Sequence, residues 1–507
     1  MRSFLGCVVL LGLIVSGEHA EAKGSGKPPA SLIASVALGS DATLDTLKPF
    51  VDAIKPGTSP MLTGAMVRSQ LASLVGARSL DGLDGSAAMY VLITDDGTTV
   101  GQVIVGKVKD EKALLDGAGT ARVSTQRGWA AIGAKPIVDQ VAGFAFASIA
   151  PAPTPTMPTA TVYVPNALVR YRAKIASSRT SMITAMTASG GADLASMTTG
   201  YLDGLFSMLE DSDRLVVTLD ATKDLGAFDL AFVPRARSRL AAFVAAQRPS
   251  DYALLARLPA AGAPVIAAGH LESGPYRQGM LDVMGQLYGR GGAKDIIAAI
   301  SAVMKASTGD FAMTMSMGAG KPMAMAQLFG VADRTRADKA IDAVLGSFKN
   351  GRTFESMNIS TTIKTLPATT EHDGVTVKGY DVTYDLSKAP AASRASIQAS
   401  FPTGTTTARV ATFDRVGLLT MGTDTDAAID AARGKAPQLG PTGALAEFLA
   451  SSRAHKDSVL FAMDLNMVGK LPGGARMVMF TLGFADGSSH MRFTMPTSVI
   501  RSFAGQP

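Results

Sequence analysis

The chain has 507 residues, of which 47% are hydrophobic, and a formal net charge of +6 at pH 7. The basic residues are scattered, with few aromatic residues between them, so the charge does not indicate nucleic-acid binding. The only cysteine, Cys7, lies near the N-terminus. Once the N-terminal segment is removed, disulfides and thiolate metal sites are therefore excluded.

Residues 1–22 have the pattern of a secretory signal peptide. Arg2 precedes an apolar run, and Ala20-Glu21-Ala22 matches a small-x-small cleavage motif. We expect cleavage between Ala22 and Lys23, a flexible leader over 23–29, and a mature protein in the periplasm or outside the cell. No later apolar run reaches the about 20 residues that a membrane helix needs, so we predict no membrane span in the mature chain.

Short strands and amphipathic helices then alternate along the chain. In the first half a strand and two helices precede a strand pair and a short helix: 31–38, 43–54, 65–76, 86–94, 99–107 and 110–117. The second half has the same order: 263–271, 275–288, 293–306, 309–317, 323–331 and 334–348. Strands joined by tight turns imply antiparallel pairing, so the pattern predicts an α+β fold.

Two pairs of segments indicate an internal duplication. Segments 214–234 and 476–496 both read as strand, polar turn, strand. Segments 121–133 and 408–422 both begin Ala-Arg-Val and lead into a short helix. The predicted architecture is two tandem related modules, each a mainly antiparallel sheet with helices packed on one face. In the first pair the apolar alternation slips by one residue, which indicates a bulge or a compensated gap.

The predicted modules cover 30–248 and 251–507. The first has a decoration near 177–200 and a proline-rich connector over 151–158; the second has a decoration near 350–406. This layout resembles that of uncharacterised exported proteins of high-GC Gram-negative bacteria built from two related α+β halves. The resemblance implies the architecture and carries over no activity.

Motifs for catalysis are missing from the sequence. It contains no Gly-x-Ser-x-Gly elbow, no His-Glu-x-x-His helix and no Ser-x-x-Lys pair. The histidines after the signal peptide have no ligand partner at helical spacing. We therefore predict no catalytic residues, no metal site and no cofactor.

Methionine is the unusual component. The run FAMTMSM places Phe311, Met313, Met315 and Met317 on one strand face, and the next predicted strand adds two more methionines, Met323 and Met325. Three interpretations stay open: a core beneath helices, which alternation with small residues favours; an apolar ligand surface; or a Cu(I) site built from thioethers.

Arg235 and Arg239 would share a face if they lay on one helix, and would then form a modest anion patch. A solvated helix face is the simpler interpretation. The leading functional hypothesis is a non-catalytic scaffold that binds an unknown envelope protein. Two alternatives are a carrier of an apolar or lipid-like ligand and a hydrolase with its site between the halves.

Overall fold

The protein is an α+β molecule built on one large antiparallel sheet. The computed structural model describes residues 27–260, 264–272, 274, 294–318, 321–349, 351–354, 359–366, 369–389, 391–440, 442–465 and 477–504. Within these ranges lie twenty strands and twelve α-helices.

The strands are short and mostly joined by tight turns. Their bounds are β1 Leu32–Gly39, β2 Met89–Asp95, β3 Val100–Lys107, β4 Arg122–Gln126, β5 Trp129–Gly133, β6 Thr159–Tyr163, β7 Ser212–Ala221, β8 Leu225–Pro234, β9 Val265–His270, β10 Ser307–Gly318, β11 Lys321–Val331, β12 Arg352–Phe354, β13 Ile359–Thr365, β14 Thr370–His372, β15 Val375–Asp385, β16 Thr405–Phe413, β17 Val416–Met421, β18 Asp457–Asp464, β19 Met477–Gly483 and β20 Ser489–Pro496.

The helices lie mainly between these strands. Their bounds are α1 Asp41–Ile54, α2 Gly64–Val75, α3 Glu111–Gly117, α4 Lys135–Phe144, α5 Val164–Glu210, α6 Arg239–Ala246, α7 Lys294–Ala306, α8 Arg334–Gly346, α9 Ala391–Ser400, α10 Thr425–Ala432, α11 Ala444–Ala454 and α12 Thr497–Ala504. Side-chain caps begin several of them. Asp424, for example, accepts hydrogen bonds from the Asp426 and Ala427 amides.

The strand pairs form one continuous sheet in which each pair is antiparallel. From one edge the order is β4-β5-β3-β2-β1-β6-β7-β8, and β8 then pairs with β20. From there the order is β20-β19-β18-β9-β10-β11-β17-β16-β15-β13-β12, with β14 following β13 along the same edge of β15.

Helices cover both faces of this sheet, so the prediction of one covered face is wrong. Val91 on β2 packs with helices α2 and α3, whereas its neighbours Tyr90 and Leu92 pack with α4 on the opposite side. Successive strand residues point to opposite faces, and both sets here are apolar. A strand that is hydrophobic at every position is therefore buried on two sides.

Strand register explains the one-residue slip seen in the sequence. Leu219 pairs with Phe228 in the β7–β8 hairpin, and Leu482 pairs with Met491 in the β19–β20 hairpin. Phe228 therefore matches Met491, whereas aligning the two segments from arginine to proline matches it to His490. The other pair of segments needs no shift, because both close with two-residue turns between Gln126 and Trp129 and between Phe413 and Val416.

Helix α5 must reverse direction within its length. It connects β6 to β7, and Tyr163 at its start pairs with Arg214 just after its end. Arg172 also lies 3.4 Å from Glu210. A straight helix would separate such residues by about 1.5 Å per position. The decoration predicted near 177–200 lies in this segment.

Candidate functional site

A cavity of about 540 Å³ lies between two helices and the sheet. We call it the roofed cavity. Its floor comes from β10, β11, β16 and β17, and its roof from α7 and α8. Its lining is mainly apolar: Leu271, Ile300, Val303, Met304, Phe311, Phe329, Ile341, Val344, Leu345, Val410 and Leu419.

Helical periodicity builds the roof. Ile300, Val303 and Met304 stand at i, i+3 and i+4 on α7, and α8 repeats this spacing with its own apolar lining residues. Polar contacts tie α8 to the sheet on its other side. The Lys378 ammonium donates to the Asp342 carboxylate at 2.7 Å, and the Thr412 hydroxyl donates to Asp338. These contacts hold α8 against the sheet at one side and leave the space beneath α7 and α8 open.

The floor carries the predicted methionine strand. Phe311 pairs with Phe329 across β10 and β11, and Met315 pairs with Met325, so these side chains share the roofed face. Ala312, between two residues of this face, is fully buried in the core on the opposite face. The residues described from the predicted face are only half-buried.

Of the six residues predicted for an apolar-ligand face, Phe311 lines the roofed cavity. Met313, Met315, Met323 and Met325 extend its floor along β10 and β11. The Met317 side chain lies outside the described residues.

Gln327 is the polar exception in the middle of this floor. It pairs with Met313 on one side and Leu419 on the other, and it lines the cavity half-buried. No hydrogen-bond partner for its amide occurs among the residues that the structure describes. The amide is therefore available to a ligand in the cavity.

The same place in the first half of the chain has a packed interior. Cross-strand pairing gives a row that we call the sealed row: Val36, Val91, Ile104, Ile132 and Val123. The corresponding strands beneath the roofed cavity give the open row: Ala267, Met313, Gln327, Leu419 and Val410. Ile104 and Ile132 are 0% exposed beneath α2 and α3. At the matching places the open row has Gln327 and Leu419, both half-buried.

One rim of the roofed cavity is polar. The Asp310 carboxylate accepts hydrogen bonds from Arg248 at 3.0 Å and from the Thr308 hydroxyl at 2.8 Å, and it contacts His270 Nδ1 at 3.0 Å. His270 is 1% exposed, and its Nε2 lies 3.7 Å from the Glu272 carboxylate. Gly309, at φ +85°, brings the backbone so close that a Cβ would meet the His270 ring.

A second cavity of about 400 Å³ adjoins this rim at the end of the strands. We call it the arginine cavity, because Arg248, Arg257 and Arg415 line it. Three aspartates, Asp251, Asp310 and Asp414, line it as well. Asp310 and Phe311 belong to the linings of both cavities.

Both arginines of the predicted anion patch are exposed, and both make hydrogen bonds within the protein. Helix α6 begins at Arg239, so Arg235 precedes it and the two do not share a helical face. Arg235 donates to the Glu210 carbonyl, and Arg239 donates to the Ser207 hydroxyl at 2.9 Å. Both guanidinium groups therefore attach to the C-terminal end of α5, where carbonyl groups attract cations.

Sequence spacing missed three histidine–carboxylate pairs, because each joins distant parts of the chain. They are His270 with Asp310, His372 with Asp430, and His490 with Asp229. The last pair lies where β8 meets β20. Burial alone would raise the pKa of Asp229, but hydrogen bonds and charge from His490 and Arg492 outweigh burial and lower it.

Near this seam, His455 and Ser451 do not form a base–nucleophile pair. His455 uses both ring nitrogens: Nδ1 lies 2.7 Å from the Ser451 carbonyl, and Nε2 faces Arg492. A histidine held this way is not free to take a proton from the Ser451 hydroxyl. In the described ranges, no group of three or more His, Cys, Asp or Glu residues could hold a metal ion.

The cleavage site predicted at Ala22 and Lys23 lies outside the described residues. Within those residues, no helix is both long and apolar enough to cross a membrane.

No protein-family model and no curated protein matches this chain. Among solved structures, one titled "Structure of crystal form IV of TP0453" aligns with 52% of this chain and 99% of that chain, at 10% identity and a TM-score of 0.23. A likeness at this level supports no inference about fold or function.

Proposed function

We propose that the protein is an exported carrier of an apolar or lipid-like ligand, which it binds in the roofed cavity. The observation that carries this proposal is the contrast between the two rows. Equivalent strands hold a packed interior in one half and an apolar space of about 540 Å³ in the other. Small-molecule sites are typically apolar spaces of about 300–1,000 Å³ with a few polar groups, and this cavity has that character.

The interior of the roofed cavity also suits such a ligand chemically. Its walls offer branched aliphatic, aromatic and thioether side chains, which adapt to flexible hydrocarbon chains. Gln327 offers one amide in the middle of the floor. A ligand with a hydroxyl or carbonyl group at this depth would hydrogen-bond to that amide.

The two-module architecture supports this assignment. We infer that residues 30–248 and 251–507 are related modules, because their strands follow one order outward from the β8–β20 pair. The hairpins β4–β5 and β16–β17 also share a two-residue turn with positive φ at both positions: Arg127 and Gly128, and Asp414 and Arg415. If one of two duplicated modules gained ligand binding, the two would keep the same scaffold and differ in one interior, as we infer here.

Export is the third part of the proposal and depends on the predicted signal peptide. A carrier of apolar molecules is useful where such molecules must cross an aqueous compartment such as the periplasm. N-terminal sequencing of protein recovered from that compartment tests this part, and a mature chain beginning at Lys23 is the expected result.

Binding is tested by titrating delipidated mature protein with a fluorescent fatty-acid analogue. We expect saturable uptake that is lost in Leu345→Trp, because the larger ring fills the space beneath α8. Val169→Trp is the matched control, since Val169 is 81% exposed on α5. No uptake by the wild type, or equal uptake by both variants, would reject the proposal.

The scaffold hypothesis stays a prediction from the sequence. It becomes the better explanation if the fluorescent analogue does not bind and protein recovered from cells contains no small molecule by native mass spectrometry.

A further inference from the structure

The charged residues that line the roofed cavity are both acidic. They are Glu272 and Asp310, and no lysine, arginine or histidine belongs to the described lining. Both lie at the polar rim, where β9 has ended and β10 begins. A charge beside a partly enclosed apolar space acts on a ligand more strongly than the same charge in open water. The rim therefore determines which head groups the cavity favours.

Asp310 contributes little to this effect because its charge is already compensated. The Arg248 guanidinium donates to the Asp310 carboxylate at 3.0 Å, and the Thr308 hydroxyl donates to it at 2.8 Å. Arg248 itself lines the arginine cavity and does not line the roofed cavity. The cation beside the rim is thus engaged by Asp310 and is not offered to a ligand in the roofed cavity.

Glu272 is fixed at the rim through its backbone. The side-chain amide of Gln247, just after α6, donates to the Glu272 carbonyl at 2.7 Å and accepts from the Glu272 N–H at 2.9 Å. One residue earlier, the Leu271 N–H donates to the Gly309 carbonyl at 3.0 Å, which continues the pairing of β9 with β10. These contacts hold Glu272 beside the cavity without engaging its carboxylate.

The Glu272 carboxylate has no strong partner at this position. Its side chain is 47% exposed, and the carboxylate lies 3.7 Å from His270 Nε2, which is longer than a hydrogen bond. His270 instead contacts Asp310 through Nδ1 at 3.0 Å. Among the residues that the structure describes, no arginine or lysine lies within ion-pair distance of Glu272. Its negative charge is therefore the one that a ligand at this end of the cavity meets.

We propose that the roofed cavity selects an amphipathic ligand whose head group carries no negative charge, such as a long-chain alcohol, amide or amine, and that Glu272 sets this selection. This inference rests on the proposed function. An anionic head group would lie either against the Glu272 carboxylate, which repels it, or among apolar side chains, which do not solvate it. A hydroxyl, amide or ammonium group can instead donate a hydrogen bond to Glu272 or to the side-chain carbonyl of Gln327.

Fatty acids are disfavoured by this arrangement but not excluded. Most of the affinity of a long-chain ligand comes from burial of its methylene groups, which an acid, an alcohol and an amine of equal length share. Glu272 is partly exposed, so solvent screens its charge and the repulsion lowers the affinity only about tenfold. A fluorescent fatty-acid analogue therefore still binds and serves as the displaceable probe.

The test compares dodecanoic acid, dodecanol and dodecylamine, which have the same chain length, on the full mature protein. Their affinities are measured by displacement of the fluorescent analogue at about pH 8, where the acid is ionised and the amine is protonated. We expect dodecanol and dodecylamine to bind about tenfold tighter than dodecanoate, a difference of about 1.4 kcal/mol. The formal net charge of +6 would favour the anion, so the overall charge of the chain does not produce this order.

Glu272→Gln separates the effect of this carboxylate from the weaker hydration of an alcohol. Removing the charge should raise the dodecanoate affinity about tenfold, lower the dodecylamine affinity by a similar factor and change the dodecanol affinity least. Glu447→Gln is the matched control, since it removes an exposed carboxylate from α11, outside the described lining of the cavity. Thermal midpoints check that both variants are folded.

The outcomes separate the proposed function from the charge selection. If none of the three probes binds, the carrier function fails. If dodecanoate binds the wild type as tightly as dodecanol, or if Glu272→Gln changes the dodecanoate and dodecylamine affinities no more than Glu447→Gln does, the carrier function stands and the selection by Glu272 is rejected.

Discussion

The sealed row and the open row run through equivalent strands, yet they stabilise the molecule in different ways. Helices α2 and α3 close over Ile104 and Ile132, and the space between helix and sheet is filled. Helices α7 and α8 stand over Gln327 and Leu419, and α8 is tied to the sheet by polar contacts at its flank. Strand pairing therefore fixes the scaffold, whereas a few side chains on one face decide whether the space between the sheet and the helices is filled or open.

The largest effect should come from truncating the sealed row. Ile104→Ala removes a fully buried side chain, and such changes cost about 2–5 kcal/mol. Leu419→Ala at the neighbouring place in the open row should cost about 1–2 kcal/mol, because this side chain already borders empty space. Denaturant midpoints measure both. Equal losses of unfolding free energy in the two variants would contradict the distinction between a packed row and an open row.

Replacing Gln327 should make the open row resemble the sealed row. In Gln327→Ile an apolar β-branched residue replaces a half-buried polar one in a strand, so we expect a gain of about 1 kcal/mol in unfolding free energy. Uptake of the fluorescent analogue should weaken at the same time. Gln102→Ile on β3 serves as the comparison, since Gln102 lies next along the same face as Ile104. A destabilised Gln327→Ile protein would mean that the amide has a partner.

Acid should weaken the contact between β8 and β20 before it affects the sealed row or the open row. The pKa of Asp229 lies below its usual value of about 3.9. The stabilisation that ionised Asp229 contributes is therefore fully present above about pH 3.9 and is lost as the pH falls through its lowered pKa. Asp229→Asn should remove this part of the acid transition. Unfolding monitored at several pH values, with Trp129 fluorescence reporting the first region, measures the effect; an unchanged acid profile would contradict it.

The smallest effect concerns the flank of the roof. Lys378→Ala breaks the ion pair with Asp342, whose carboxylate is half exposed, and exposed pairs contribute about 0.2–1 kcal/mol. We expect a slight loss of stability that disappears at high salt. Lys135→Ala, which breaks an exposed pair with Asp139 on α4, is the control for a pair remote from the cavity. A large loss in Lys378→Ala alone would show that the roof depends on this contact.

Much of the scaffold could be predicted because it depends on local pattern. The β2–β3 hairpin follows from the turn at Gly97, and the helix near 334–348 follows from its apolar stripe, which the structure has as Arg334–Gly346. The arginine cavity could not be predicted in this way. Arg257 and Arg415 are 158 positions apart in the sequence, and both line the cavity because the linker after α6 packs against the sheet beside β17.

The prediction of one covered face relied on alternation and overlooked the continuous apolar run of β2, which is typical of a strand buried on both sides. Alternation in β10 between methionine and small residues suggested one buried side. The small residues proved to face a second core, because Ala312 and Ala326 allow close approach of the linker and helices on that side. The methionine face continues the floor of the roofed cavity, but the pattern of residues could not predict the distance between that floor and the helices above it.

The junction of β8 with β20 has a practical consequence for cutting the chain. These strands pair over eight positions, from Phe232 with Ser489 to Leu225 with Pro496. A fragment that ends after α6 would leave β8 as a bare edge ten residues long, with Phe228, Leu230 and Phe232 on one side of it. Long apolar edges recruit further strands, so such a fragment should aggregate or form mixed-strand dimers. In the full chain β8 and β20 cover each other's edges, which prevents this aggregation.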